Sequence, residues 1–325
     1  GFTVHSKLQQ LLDKRHDMSR NGGIDWAFGE LLAFGSLLVE GTPVRLAGQD
    51  ARRGTFAQRH SVLHDRANGQ EWLPLTNLSD SQGKFFAYDS LLSEYAAMAF
   101  EYGYSVERAE ALVLWEAQFG DFANGAQSVV DEFISSAEQK WGQQSSVVLL
   151  LPHGYEGQGP DHSSARIERF LAMCALKAML RLRGATSPVD AFLTGRFEPV
   201  LDDDRGIDKS AVRRVLLHAG KIHWDLRAEL EKNPNPAVAL VRLEQYYPSP
   251  VEALRSVLAS YPDAELVWVQ DEPENQGAWP FIALELSKHL DGRTVRRVSR
   301  EAAASTATGS PKVHALEQAE IIKTA

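Results

Sequence analysis

The sequence predicts an α/β protein built from two mainly parallel α/β domains. Short aliphatic segments recur along the chain, and each is followed by a polar or glycine-containing loop and then by a segment with helical spacing. Strands that alternate with helices imply right-handed crossovers, and therefore a mainly parallel sheet. The 325 residues accommodate two domains of roughly 100–200 residues each. A stretch of weak periodicity divides the chain and completes the two-domain prediction.

The first predicted domain comprises residues 1–182. Asp25 is placed to cap a helix, because its side chain can accept hydrogen bonds from free backbone amides, and the Gly-Thr-Pro sequence at 41–43 ends that helix. The segment 147–151 is continuously apolar, which is typical of a strand covered on both faces. The predicted elements are a helix over 26–38, a strand over 44–47, a surface turn over 65–69, a helix over 89–102, a strand over 112–115, a helix over 125–140, the strand over 147–151 and a helix that carries Ile167, Phe170, Leu171 and Met173.

The second predicted domain comprises residues 211–325 and follows an interdomain linker over 183–210. Periodicity fades in this linker, which contains glycines, prolines and the acidic run 202–204. The alternation of strands and helices then resumes. The predicted elements are strands over 215–218, 237–241, 266–269 and 294–298, and helices over 223–232, 250–260 and 279–289.

Composition excludes several classes of protein. The chain has 34 Lys and Arg against 43 Asp and Glu, so its formal charge of −9 does not suit a nucleic-acid binder. No apolar run approaches the roughly 18 residues of a membrane span, so no membrane partner is expected. Cys174 is the single cysteine and cannot form an internal disulfide, which favours a reducing cytoplasm. Because the chain starts at Gly1 without methionine or signal peptide, we expect an internal start.

The most informative helix covers residues 91–100. Ser93 and Glu94 are its strongly polar members, so the segment predicts a helix that is buried nearly all round. A buried carboxylate needs a partner and is suited to proton transfer. The alternative is a glutamate in the first turn, at the surface, where it interacts favourably with the helix dipole. Residue types leave both interpretations open.

Loops that follow the carboxyl ends of parallel strands are where ligands bind in such sheets, which favours the loops after Ala47, Trp115 and Leu151. The loop over 151–164 contains three glycines, two prolines, His153 and His162. A histidine there can act as an acid, a base or a donor to a reacting oxygen, although a tight surface loop with solvated histidines is the alternative. Zinc is disfavoured because a glycine follows Glu156, where an inverted zinc-protease motif has its second histidine.

Two further segments are candidate sites. Phe119 and Phe122 lie in the glycine-bearing loop 115–125 and can stack on a flat heterocycle, or simply fill the core. The segment 48–64 carries a basic cluster that can meet an anionic substrate, or form a solvated loop. Its basic members are Arg52, Arg53, Arg59, His60 and His64.

Taken together, these segments resemble the thiamine-diphosphate-dependent first component of 2-oxoglutarate dehydrogenase, which performs the decarboxylation. The resemblance covers nearly the whole chain, and the segments 100–105 and 131–136 are most similar to the actinobacterial branch, whose members include 2-oxoglutarate decarboxylases. The motifs that carry it are residues 48–60, 89–94, 115–125, 153–169 and 271–279.

The resemblance implies a transketolase-like pyrimidine-binding domain followed by a transketolase C-terminal domain, with a role in the tricarboxylic acid cycle. It also implies a homodimer that takes 2-oxoglutarate and passes the acyl group to a lipoyl-bearing acyltransferase, with dihydrolipoamide dehydrogenase as the further partner. Such enzymes also have a diphosphate-binding domain with a Gly-Asp-Gly-type motif, which this chain lacks. The ligands of Mg²⁺ are therefore expected outside this chain, and no metal ligand is assigned within it.

The same resemblance assigns roles to individual residues. Glu94 would hydrogen-bond a ring nitrogen of the cofactor's aminopyrimidine and favour its imino tautomer, and Phe122 would stack on that ring with Phe119 nearby. Gln49 would also contact the cofactor. His162 would face the thiazolium and the bound oxoacid. His153 and His60 would contact the substrate.

One departure from the family lies at the junction from Cys174 to Lys177, where family members carry a few dozen more residues. A true deletion and the omission of residues from an otherwise continuous sequence both explain it. Three functions follow: 2-oxoglutarate decarboxylation, the same reaction on 2-oxoadipate, and a non-catalytic dimerisation or regulatory module of the same fold.

Overall fold

A computed structural model describes residues 1–154, 159, 161–170, 185–290, 292–303 and 307–325. The chain divides into two compact units. The first unit comprises residues 1–152 and the described residues from 185 to 195, and the second comprises the described residues from 153 to 170 and those after 195.

Helices and strands alternate through most of the described chain, as the sequence predicts. The helices are α1 (Ser6–Asn21), α2 (Trp26–Val39), α3 (Glu94–Glu107), α4 (Gln127–Val129), α5 (Ala137–Trp141), α6 (Ile167–Phe170), α7 (Val189–Thr194), α8 (Ile222–Lys232), α9 (Val251–Leu258), α10 (Trp279–Glu285) and α11 (Pro311–Thr324). The strands are β1 (Val44–Gly48), β2 (Leu63–His64), β3 (Glu71–Trp72), β4 (Phe85–Asp89), β5 (Leu112–Glu116), β6 (Val148–Leu150), β7 (Val200–Leu201), β8 (Arg214–His218), β9 (Val238–Leu243), β10 (Glu265–Pro273) and β11 (Val295–Arg300).

The first unit is organised around a parallel sheet with the strand order β4-β1-β5-β6. Val44 on β1 is aligned with Phe85 on one side and with Leu112 on the other. The core between this sheet and α2 contains Phe34 and Leu38, which are almost fully buried. Because the strands are parallel, their carboxyl ends meet at one edge, where the loops after β1 and β5 carry candidate residues.

The cap predicted at Asp25 is confirmed. Its Oδ1 accepts a hydrogen bond from the backbone amide of Phe28 at 3.0 Å, and its Oδ2 accepts one from Lys14 at 2.9 Å. At the other end of α2, the amide of Gly41 bonds to the carbonyl of Leu38, and Gly41 has a positive φ of 90°. Glycine adopts this conformation without steric cost, which ends the helix where the sequence predicts it.

Several sequence predictions in the first unit need correction. The helix expected over 89–102 begins at Glu94, because residues 85–89 form β4. The helix expected over 125–140 is divided into short 3₁₀, α and π segments between Gly120 and Trp141. The strand expected over 147–151 is β6, which lies at the edge of the described sheet, so its Val148 is 38% exposed rather than covered on both faces. Helix α1 was not expected at all.

The second unit contains a mostly parallel sheet with the strand order β11-β10-β8-β9-β7, in which β7 is antiparallel to β9. Its interior includes Trp268 and Tyr261, both about 1% exposed. Strands β8, β9, β10 and β11 and helices α8, α9 and α10 fall at the predicted positions within a few residues. The segment expected to be a linker contains α7, which belongs to the first unit, and β7, which extends the sheet of the second.

No helix among the described residues is long and apolar enough to cross a membrane. The junction between Cys174 and Lys177 lies outside the described residues.

Candidate functional site

The last residues of β1 and β5 lie close together at the carboxyl edge of the first sheet. A Cβ atom on Gly48 would lie 2.1 Å from the carbonyl oxygen of Glu116, so no other residue fits there without moving one of the strands. A glycine in a strand often marks such close approach of two backbones. This contact brings the side chains that follow Gly48 and Glu116 into one neighbourhood.

Gln49 and Glu94 are joined by a hydrogen bond across this neighbourhood. Gln49 donates from Nε2 to Glu94 Oε1 at 2.8 Å. Glu94 is the first residue of α3, whose N-cap Ser93 accepts a hydrogen bond from the amide of Ala96. Gly125 lies against the same carboxylate, since a Cβ there would come within 3.6 Å of Glu94 Oε2. The structure therefore brings together two of the residues that the sequence predicts to bind a cofactor.

The expectation that the segment 91–100 is buried nearly all round is wrong for the single chain. Leu91 and Leu92 are 81% and 87% exposed, and Tyr95 and Phe100 are also more than half exposed. Glu94 itself is half-buried and lies in the first helical turn, which is the location that the alternative interpretation gave it. Apolar composition does not by itself imply burial within one chain, and Leu91, Leu92, Tyr95 and Phe100 have no covering element among the described residues.

These elements form a shallow surface depression that encloses no space as large as a water molecule. Phe122 lines it together with both residues of the Gln49–Glu94 pair, and Phe119 packs edge-to-face on Phe122 with ring centroids 5.7 Å apart. The full lining comprises Gln49, Ser90, Glu94, Trp115, Glu116, Ala117, Gln118 and Phe122. Aromatic, amide and carboxylate groups thus share one concave surface, and Phe119 packs on the Phe122 ring.

A buried ionic cluster supports one wall of this depression. The Arg59 guanidinium is fully buried and makes two hydrogen bonds to Glu116, at 2.6 and 2.7 Å, and two to Glu30, at 2.6 and 2.8 Å. It also donates to the carbonyl of Ala51 at 2.8 Å. Burial alone would lower the pKa of Arg59, but the two carboxylates outweigh it and hold that pKa above its ordinary value. No sequence pattern indicates this cluster, because its members lie far apart in the chain.

The pKa of Glu116 is raised by the loss of water around it, and the charge of Glu30 adds to the effect, while Arg59 opposes it. Glu116 is 6% exposed, so its two oxygens are held by Arg59 instead of solvent. The ion pair fixes the end of β5 relative to the loop after β1.

The predicted basic cluster is largely neutralised by neighbouring carboxylates. Arg52 pairs with Glu71 and Arg53 pairs with Asp50. His60 is half-buried, with a positive φ of 46°, and does not line the depression. Burial lowers the pKa of His60, and the positive charges of Arg15 and Arg53 lower it further. The segment is therefore not a free cationic surface.

The two histidines of the glycine-rich loop belong to the second unit. His153 is buried, and its Nδ1 accepts a hydrogen bond from the amide of Ala165 at 3.1 Å. Since Nδ1 is an acceptor, the ring proton lies on Nε2, which donates to Glu272 Oε1 at 2.9 Å. His162 differs, because its side chain is 34% exposed and its Nε2 lies 3.7 Å from Asp161 Oδ2. Residues 155–158 and 160 of this loop lie outside the described residues.

No group of three or more His, Cys, Asp or Glu side chains in the described ranges is arranged to hold a metal ion.

Comparison with known proteins gives both domains a match. Residues 22–190 match the transketolase pyrimidine-binding domain, and residues 186–325 match the C-terminal domain of 2-oxoglutarate dehydrogenase. Among similar curated proteins are the "Multifunctional 2-oxoglutarate metabolism enzyme" of a Mycobacterium species and that of Mycolicibacterium vanbaalenii. Each is 48% identical over 99% of this chain.

The chain spans about 29–30% of the length of these relatives. The aligned stretch in the Mycobacterium relative extends over 372 residues and is longer than the 325 residues of the chain, so the relative carries residues that have no counterpart here. The chain belongs to the family of the transketolase pyrimidine-binding domain, joined here to a 2-oxoglutarate dehydrogenase C-terminal domain.

Proposed function

We propose that this chain supplies the pyrimidine-binding and C-terminal domains of a thiamine-diphosphate-dependent enzyme that decarboxylates 2-oxoglutarate. The observation that carries the proposal is the Glu94 carboxylate, held by Gln49 beside the ring of Phe122 in one depression. The two domain matches and the names of the 48%-identical relatives support the same reaction.

The side chains around the depression fit the aminopyrimidine ring of that cofactor. The ring is flat and carries both hydrogen-bond donors and acceptors, so it requires an aromatic surface and polar groups of both kinds. Phe122 offers the surface, Glu94 offers a carboxylate, and Gln49 and Gln118 offer amides. The buried indole N–H of Trp115, which also lines the depression, has no hydrogen-bond partner among the described residues.

When bound, thiamine diphosphate supplies a thiazolium that accepts the electron pair left behind as carbon dioxide departs. The protein's task is to hold and orient the pyrimidine and to manage protons. Glu94 holds or releases a proton at its carboxylate oxygens, while the amide of Gln49 fixes the direction of that carboxylate. Phe122 sets the plane of the ring, and the Arg59–Glu116 pair keeps the loops after β1 and β5 from separating.

The histidines of the second unit take different parts in this proposal. His162 has an accessible imidazole and is suited to proton transfer near the substrate. His153 uses both ring nitrogens within the protein. We therefore propose that His153 holds its loop in place and also contacts the substrate. The neighbouring backbone bond from Gly154 to Ser163 closes the same loop. His60 remains a proposed substrate contact.

A homodimer is part of the proposal. The face formed by Leu91, Leu92, Tyr95 and Phe100 exposes four large apolar side chains on and just before one helix. Exposed clusters of this kind mark interaction surfaces. Because the face adjoins Glu94, a second copy of the chain would exclude water from the carboxylate, which the single chain leaves half-buried.

The remaining components lie beyond these domains. Mg²⁺ and the diphosphate would be held by sequence outside this chain, in line with the part of the relatives that the chain does not cover. We further propose succinyl transfer to a lipoyl-bearing acyltransferase, reoxidation by dihydrolipoamide dehydrogenase and a cytoplasmic location.

Glu94→Gln in the full-length enzyme tests the proposal, with Glu107→Gln as the matched control. Glu107 ends the same helix and is exposed, so the same substitution there has no cofactor to affect. We expect E94Q to lower the rate of 2-oxoglutarate decarboxylation in a ferricyanide-coupled assay at least about 100-fold, since general acid–base groups contribute about 10²–10⁴-fold. Unchanged turnover in E94Q, or equal losses in both variants, would remove Glu94 from the mechanism. Faster turnover of 2-oxoadipate than of 2-oxoglutarate would instead change the substrate assignment.

A further inference from the structure

Two pairs of side chains connect β1 and the loop after it to helix α3. Arg45 donates from Nε and Nη2 to the two carboxylate oxygens of Glu101, at 2.7 and 2.8 Å. Four residues further along the chain, Gln49 donates to Glu94 at 2.8 Å. The second pair belongs to the candidate site, whereas the first lies away from the depression.

The spacing of the two pairs along β1 and along α3 explains how one helix can form both contacts. Four residues of strand extend about 13 Å, and the seven residues from Glu94 to Glu101 rise about 10.5 Å and complete nearly two turns. The two carboxylates therefore lie on one face of α3. Arg45 comes before Gln49 in the chain, whereas Glu101, the partner of Arg45, comes after Glu94, the partner of Gln49. The helix therefore runs antiparallel to β1, as expected for a helix that connects two parallel strands.

The Arg45–Glu101 pair is enclosed. The side chains of Arg45 and Glu101 are 13% and 3% exposed. The Cζ atom of Arg45 lies 4.8, 5.2 and 4.5 Å from the ring centroids of Tyr88, Phe100 and Tyr104, respectively. A planar, forked ion pair that is buried beside aromatic rings has one good geometry, so it contributes more to fixing an arrangement than to net stability.

Side chains at the other end of α3 are more exposed, although Met98, one turn after Glu94, is fully buried. Leu91, Leu92 and Tyr95 point largely into solvent, and the hydrogen bond from Gln49 is the described polar contact of the Glu94 side chain. Moving a helix by one residue shifts each side chain by about 1.5 Å and rotates it by about 100°. The location of the Glu94 carboxylate thus depends on the place at which α3 is anchored to the sheet.

We propose that the Arg45–Glu101 ion pair is a positioning device for Glu94, setting the axial register and rotation of α3 so that the carboxylate meets Gln49 and the cofactor. The inference rests on the proposed function of Glu94. Arg45 and Glu101 touch neither substrate nor cofactor, and act through the helix. Displacing a reactive group by about 1 Å can cost about 100-fold in rate.

A double-mutant cycle in the full-length enzyme tests this assignment. Glu101→Gln is made in the native background and in the Glu94→Gln background, and decarboxylation is measured in both. We expect E101Q to lower kcat about 10- to 100-fold in the native background, with KM for 2-oxoglutarate changed less than threefold. In the E94Q background we expect a further loss of less than threefold, because coupling between sites appears as non-additivity. Arg45→Lys, which keeps the charge but loses the forked geometry, should act in the same direction more weakly.

Asp203→Asn is the matched control. The Arg205–Asp203 pair in the second unit is also forked, with side chains 13% and 1% exposed, nearly the same burial as the Arg45–Glu101 pair. We expect D203N to leave kcat within about threefold of native. Binding of thiamine diphosphate with Mg²⁺ is followed separately by tryptophan fluorescence, and should weaken three- to tenfold in E101Q and remain unchanged in D203N.

The outcomes separate the inference from the function on which it rests. If E94Q is active, the proposed function fails. If E94Q is impaired but E101Q retains native kcat and affinity, or loses the same factor in both backgrounds, the positioning role fails and the function stands. Equal losses in E101Q and D203N would also overturn the inference, because they would show general destabilisation. Should E101Q not fold, R45K provides the same comparison.

Discussion

Arg59 and Glu116 form a doubly hydrogen-bonded ion pair, at 2.6 and 2.7 Å, in a place that excludes water from both side chains. Arg59 also donates hydrogen bonds to the carboxylate of Glu30 and to the carbonyl of Ala51. A single guanidinium thus connects α2, the loop after β1 and the end of β5, the three segments on which the Gln49 side of the depression depends.

Replacing Arg59 by methionine should destabilise the first unit by about 3–5 kcal/mol, because it leaves Glu116 buried without its counter-charge. The free energy of unfolding is measured by urea denaturation monitored by tryptophan fluorescence. Arg53→Met is the control, since the Arg53–Asp50 pair is about half exposed and should cost no more than about 1 kcal/mol. Similar losses in the two variants would show that burial of the pair does not matter.

Much of the architecture could be predicted from sequence because it depends on local signals. The Asp25 cap, the strand at Val44 and the regular alternation in the second unit are examples in which periodicity and capping chemistry act over a few residues. Helix α1 was not predicted because it is mostly polar, with Arg15 and Met18 as its buried residues. Its leucines at 8, 11 and 12 have helical spacing, but Arg15 interrupts this apolar stripe before Met18, so the stripe is short.

The candidate site could be predicted only in part, because the contacts that hold its residues join positions far apart in the sequence. The family resemblance assigns Glu94, Gln49 and Phe122 to the cofactor, and all three line the depression. The partners that hold them could not be read from sequence, since Arg45 and Glu101 are 56 positions apart. Pairing at that separation is set by sheet order and helix direction, and no local pattern records it.

In the second unit, His218 and His223 form a buried neutral pair whose protonation should control acid stability. His218 donates from Nδ1 to the carbonyl of Leu216, so its Nε2 accepts from His223 Nδ1 at 2.8 Å. Burial lowers the pKa of His218 to about 3, with His223 nearby adding to the effect; burial and the charge of Arg242 lower that of His223 to about 3.

Because both folded pKa values lie below the ordinary 6.5, the unfolded chain binds protons first as the pH falls. The pair should leave stability unaffected above about pH 6.5 and should reduce it progressively between pH 6.5 and about 3, by several kcal/mol in all. Urea denaturation at a series of pH values measures this slope. His218→Phe with His223→Phe should flatten it, and an unchanged slope in the double variant would assign acid sensitivity to other groups.

Asp271 should have the reverse pH dependence. The residue is half-buried overall, but its Oδ1 atom is sequestered and has no hydrogen-bond partner among the described residues. Burial raises the pKa of Asp271 to about 7; Glu272 and Asp225 add to the rise, and Lys221 opposes it. Since this folded pKa lies above the unfolded value of 3.8, the carboxylate should cost stability increasingly as the pH rises from about 4 to 7.

Asp271→Asn should therefore stabilise the second unit at pH 8 by about 1–3 kcal/mol and should have little effect at pH 4, because the amide has no charge to bury. Thermal unfolding at the two pH values measures the difference. Asp263→Asn, at an exposed position shortly before β10, is the control and should change stability by less than about 0.5 kcal/mol at either pH. If D271N were equally or less stable than the native chain at pH 8, the carboxylate would have to be gaining more from Lys221 than it loses by desolvation.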